Sequence, residues 1–193
     1  MAVRLKTRWH HTRRSRRRGA PKTLEDRAGV VAHNIWKIAF AGYQNMVKED
    51  FRFAGPEQVI ALLTEFIAFL LQVADRNVYG QLGEEDRRTF ITAVASRLAE
   101  TVNDNLRDLY GEGDYRGPFI KTLNGRARGY SECSYDDNGP GYSFLRYFGD
   151  QAAAAMAAGD NKWVIEHVME IEAPQALKLI RKTLGEVLGI RPR

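Results

Sequence analysis

The groups of this sequence that could do chemistry are few: four histidines, one cysteine and a handful of carboxylates in apolar surroundings. His10 and His11 lie in an arginine-rich stretch, so a histidine-based metal site in the rest of the chain would need both His33 and His167. His33 falls beside Lys37 and Gln44 near the polar side of its helix, the place of a solvated imidazole. His167 and Glu170 share one helix face, but carboxylate-bridged metal bundles use two Glu-x-x-His pairs with further glutamates from other helices. One pair in reversed order does not meet that requirement, and neither a metal nor any other cofactor is expected. Cys133 is the only cysteine, so the chain can form no internal disulfide and no thiolate zinc site. Without an evident helix N-terminus or histidine to lower its pKa, it reads as a bystander thiol.

Glu65 would be a natural general acid or base if it stood alone on an apolar helix, because desolvation raises a carboxyl pKa. It does not stand alone. Gln58, Ala61, Glu65, Ala68, Gln72 and Asp75 recur at helical spacing along one narrow stripe, so Glu65 faces water or pairs with a base on another helix. Glu100, Asp104 and Asp108 form an acidic ladder that Arg97 and Arg107 can offset, which reads as a solvated face. Gly111, Gly113 and Gly117 follow a helix, whereas the dinucleotide fingerprint follows a strand and has a shorter second gap. Neither the Walker phosphate loop nor a G-x-S-x-G elbow occurs in the sequence.

Charge is more informative than any motif. Arg4, Lys6, Arg8, Arg13, Arg14, Arg16, Arg17, Arg18 and Lys22 all precede the first acid, Glu25, giving the first 22 residues a charge of +9. The whole chain sums to +5, so the remainder carries −4. That asymmetry points to an acidic body with an appended electrostatic contact, the first eight of these side chains being the candidate contact residues. A second candidate surface is the segment from Gly111 to Tyr142, with seven glycines, four tyrosines and two prolines in 32 residues. Tyr115, Arg116, Arg126, Arg128, Tyr130, Tyr135 and Tyr142 are rigid aromatic and arginine groups of the kind enriched at interface hot spots. The alternative for these residues is a lid over the core.

The elements that must position these groups are mostly helices. From Leu24 to about Lys48, Ala28, Ala32, Ile35, Ala39, Gly42 and Met46 recur at helical spacing beside a second stripe of Trp36, Phe40, Tyr43 and Val47. Pro56 and Glu57 suit the start of a second helix that runs to about Tyr79. Its uniformly apolar part spans only Val59 to Val73, against roughly 20 residues for a bilayer core, and it reads as the central helix of a bundle. Glu84, Glu85 and Asp86 open a third helix that ends near Tyr110. The segment from Gly111 to Tyr142 reads as a long loop in which Asp137-Asn138-Gly139 turns a small hairpin. A further helix runs from about Ser143 through Ala158 to a stop at Gly159, and Asp160 can cap the next helix. Trp163, Val164, Val168 and Ile171 make that short helix, and Pro174 starts a last one on a core face of Leu177, Ile180, Leu184 and Leu188.

The expected fold is therefore all-α: a single-domain bundle of about six helices over residues 23–193, preceded by a basic arm over residues 1–22 that is disordered unless bound. The expected function is that of a non-enzymatic binding or adaptor protein whose arm contacts an acidic partner, RNA or a protein surface. The alternatives are an enzyme or ligand-binding bundle with its site under the Gly111 to Tyr142 segment, and a peripheral membrane protein held by the basic arm. The single cysteine and the absence of an apolar run after Arg13-Arg14 fit a cytoplasmic setting.

Overall fold

The computed structural model describes residues 5–6, 23–156 and 163–192. Its elements are α1 (Leu24–Lys48), α2 (Pro56–Val78), α3 (Glu84–Tyr110), α4 (Arg116–Ser131), β1 (Tyr135–Asp136), β2 (Gly139–Pro140), α5 (Tyr142–Ala155), α6 (Val164–His167) and α7 (Ala173–Leu188). Six long helices and the single turn of α6 make the all-α bundle that the spacing of apolar residues predicts.

The start of α1 is set by Thr23. Its hydroxyl accepts the Asp26 N–H (3.1 Å) and the Asp26 carboxylate accepts the Thr23 N–H (3.3 Å), a reciprocal capping box. The apolar stripes of α1 pack on α2, α3 and α7. Gly42 lets α1 and α2 approach closely, since a Cβ there would sit 2.5 Å from the Phe66 ring. Helix α2 is the centre of the molecule: it meets α1, α3, α4, α5 and α7, and against Phe148 of α5 Phe66 packs edge to face (ring centroids 5.0 Å apart) while Phe69 stacks (4.3 Å). It is also a described helix long and apolar enough to cross a membrane, with most of that apolar stretch buried inside the bundle.

The segment from Gly111 to Tyr142 is not a long loop. Half of it is α4, which survives three glycines and a proline because Phe119, Leu123 and Tyr130 are buried where it packs on α2, α3 and α5. Tertiary burial of a few large side chains outweighs about 1 kcal/mol of lost helix propensity per glycine. Gly129 is required by packing, because the Tyr147 phenol occupies the space of a Cβ. The hairpin forms where it is expected, with Tyr135 opposite Pro140 and Asp136 opposite Gly139, and Gly139 at φ 114° in the turn.

Helix α5 begins one residue earlier than expected and ends at Ala155, short of the expected Ala158, with Met156 as its last capping residue; Gly159 and the expected cap Asp160 lie outside the described residues. The last two helices are nearly continuous: α6 passes through a π turn over Val168–Glu172 into α7. Pro174 explains this turn, since its ring excludes the carbonyl four residues back and the Ala173 N–H reaches Val168 O instead. Val164 and Val168 are buried as expected, whereas Trp163 is 69% and Ile171 45% exposed, so neither belongs to the core.

Candidate functional site

Helix α4 is capped by Asp114, whose Oδ1 accepts the N–H groups of Arg116 and Gly117 (both 3.1 Å). It carries Arg116, Lys121, Arg126 and Arg128 and no acidic residue at all. With α3 as the opposite wall and α2 as the floor, it bounds a groove of about 640 Å³. A second hollow of about 440 Å³ continues it toward the start of α3, the two sharing Gln72, Ile91, Thr92 and Ala127. The size is that of a site for a small molecule or a short peptide.

The groove mixes apolar and uncharged polar side chains from all three helices. Leu71, Ile91, Ile120 and Leu123 supply the apolar surface. Gln72, Thr92, Ser96 and Asn124 line the same space.

Its lining carries four arginines against three carboxylates, a net of +1, and internal bonds occupy all three acids. Arg87 holds Asp75 through two bonds (2.8 and 2.7 Å) and Glu84 through another (3.0 Å), and these bonds raise its pKa above the ordinary guanidinium value. Asp114 is engaged in capping α4. Arg76, Arg88 and Arg116 are left without a carboxylate partner among the described residues, and Arg76 donates to Tyr130 O at 3.3 Å.

The structure distributes the expected contact residues widely. Of the arm, Arg4, Arg8, Arg13, Arg14, Arg16, Arg17 and Arg18 lie outside the described residues. Lys6 is held by the body: its N–H donates to Asn105 Oδ1 (2.7 Å), Asn105 Nδ2 donates to Lys6 O (3.1 Å), and Lys6 Nζ pairs with Asp108 (2.7 Å). The acidic ladder is thus partly neutralised from an unexpected quarter, while Arg97 pairs with Glu100 as anticipated.

Arg116 lines the groove, and Arg128 and Tyr142 are exposed. Arg126 does not face a partner; it grips Glu65 with two bonds of 2.7 and 2.8 Å, which is the basic partner that the polar stripe on α2 called for. Tyr130 is fully buried against Phe144 and Tyr147, so it belongs to the core and not to a contact surface. Tyr135 is half-buried, with its hydroxyl accepting from Asn77 Nδ2 at 2.8 Å, and Tyr115 is tied to Asn103 and Gly111. Tyr130 and Tyr135 are thus part of the cover over the core, while Arg116, Arg128 and Tyr142 lie exposed on the surface.

The remaining chemical candidates have structural explanations. Burial pushes the Cys133 thiol up, and its Sγ donates to Gly129 O at 3.4 Å, the reverse of an activated nucleophile. Burial, with Lys37 nearby, lowers the His33 pKa. His167 meets Glu172 at 3.3 Å across the π turn, not Glu170, and stacks near Phe51. Sequence reasoning missed Gln72, Thr92, Ser96, Arg88 and Asn124 as groove residues, because each looks like an ordinary solvated position on its own helix. No family model, curated protein or solved structure matches this chain.

Proposed function

We propose that this is a non-enzymatic binding or adaptor protein that docks on an acidic partner, RNA or a protein surface, through its basic N-terminal arm. The observation that carries the reading is the segregation of charge, +9 on the first 22 residues against −4 on the rest. Such a separation concentrates electrostatic attraction in one segment while the body repels the same partner weakly. The acid-free helix α4 adds a second basic surface, and the lone Cys133 suits a reducing, cytoplasmic setting. A second reading, a ligand-binding bundle with its site under the Gly111 to Tyr142 segment, is favoured by the groove itself, since α4 forms one of its walls.

The test is a salt titration of the full-length protein against RNA, DNA, acidic peptides and heparin. Its companion is a variant with Gln at positions 13, 14, 16, 17 and 18. If about half of the arm engages phosphates, log affinity against log salt falls with a slope of about −3 to −4, and the variant loses most of that slope. Unchanged affinity and slope in the variant would remove the arm from the mechanism.

A further inference from the structure

We propose that the groove between α3 and α4 docks a short, extended, acidic peptide segment of a partner protein. This rests on the acidic-partner reading and names the class of partner and the surface it meets. Three features of the groove converge on a peptide main chain flanked by carboxylates.

The first is its uncharged polar lining. Gln72 on the floor and Asn124 on the α4 wall present primary amides into one space, with Thr92 and Ser96 on the α3 wall, and none of the four side chains makes a hydrogen bond within the chain among the described residues. A primary amide offers a donor and an acceptor side by side, the complement of a peptide N–H and C=O. The protein uses that match twice elsewhere. Asn105 holds the Lys6 main chain by two bonds (2.7 and 3.1 Å), and Gln81 accepts the Arg191 N–H (3.0 Å) while donating to Arg191 O (2.7 Å).

The second feature is charge at both ends. Arg76 and Arg88 stand at the end near the start of α3 and Arg116 at the other, while the acids that line the groove are already bonded to Arg87 or to the start of α4. Incoming carboxylates therefore find arginines at either end, with Ile91, Ile120 and Leu123 between to take an apolar side chain.

The third is length. The α3 wall runs from Glu84 to Ser96, which at about 1.5 Å per residue is about 18 Å. An extended chain of five or six residues, at about 3.3 Å each, spans it. The middle of a partner helix would bring no free main-chain groups to Gln72 and Asn124, because only its first four N–H and last four C=O groups lie outside the ladder. Single-stranded nucleic acid is held on aromatic platforms, and among the described residues no aromatic side chain lines this groove.

The experiment titrates the full-length protein by fluorescence anisotropy with labelled hexapeptides that carry three Glu or Asp among aliphatic residues. Saturable binding is expected for a subset. Gln72→Ala with Asn124→Ala is expected to weaken it about tenfold, as is N-methylation of the central peptide amides, which tests the same bonds without altering the protein. Arg88→Glu with Arg116→Glu, both on the surface, is expected to weaken it further and to favour lysine-bearing peptides. Absence of any binder tighter than about 100 µM overturns the proposal. So does binding indifferent to N-methylation and to the amide variant, or displacement of the peptide by a 12-mer of single-stranded RNA. The variant with a neutralised arm separates this inference from the wider reading: retained hexapeptide binding there supports the groove, and loss of it overturns the groove, while the arm is judged on its salt slope alone.

Discussion

Replacing Arg126 by Met tests the central electrostatic feature of the bundle. The Glu65 side chain is 6% exposed and receives both bonds from a guanidinium that is 28% exposed, so water reaches the pair only from the Arg126 side. Breaking a buried pair by removing one partner costs about 3 to 5 kcal/mol, and the partial access of water puts this case near 3. A domain of this size has a stability of about 10 kcal/mol, so the variant still folds. Urea unfolding followed by far-UV circular dichroism at pH 7 reads the loss as a fall in midpoint at constant slope. Glu65→Leu combined with Arg126→Met is expected to recover most of the loss, since an apolar replacement of both partners leaves nothing charged to bury. A loss under about 1 kcal/mol in Arg126→Met, or a double variant as unstable as the single one, would refute a buried, mutually dependent pair.

Two further perturbations address the packing around α1. Burial pushes the Glu172 carboxyl above the usual carboxylate range against the opposing pull of its bonds to His167 and Asn45, with Glu49 adding repulsion. A raised folded pKa means that this group's share of stability is present below its unfolded pKa and is lost as pH rises through the folded one. Glu172→Gln, which stays neutral, is therefore expected to gain on the wild type as pH climbs from about 4 to 8, and a difference independent of pH would contradict it. Gly42→Ala forces a methyl against Phe66 and is expected to cost about 2 kcal/mol, read as a lower melting temperature. Adding Phe66→Leu should return part of that loss, whereas an unchanged melting temperature in Gly42→Ala would show that α1 and α2 are not in such close contact.

The helices with strong local signals were legible at their ends. Helix α1 starts at Leu24 and stops at Lys48 because Thr23 and Asp26 close a capping box and its apolar stripes end there. Pro56 and the acids at 84–86 place the starts of α2 and α3 for similarly local reasons. Helix α4 was not legible, since Gly117, Pro118, Gly125 and Gly129 argue against a helix at short range. What forms it is long-range: burial on α2, and a glycine demanded by Tyr147 of α5. The groove inherits that invisibility. With α4 read as loop, nothing in the sequence brings Asn124 within reach of Gln72, and Arg126 cannot be told from Arg128 although one is bonded to Glu65 and the other faces water. The charge asymmetry of the arm needs no fold to be seen.

The amide clamps at Lys6 and Arg191 bear on which sequence changes the fold accepts. Asn105 and Gln81 touch only the N–H and C=O of the residues they hold, groups common to nearly every amino acid. Register at Lys6 is set by its neighbour Leu5, which packs on the core, and not by the lysine itself. Position 191 can thus drift through many side chains without loosening its clamp, whereas at position 6 an acid is disfavoured because Lys6 Nζ pairs with Asp108 (2.7 Å). One substitution is barred, because proline has no N–H to give.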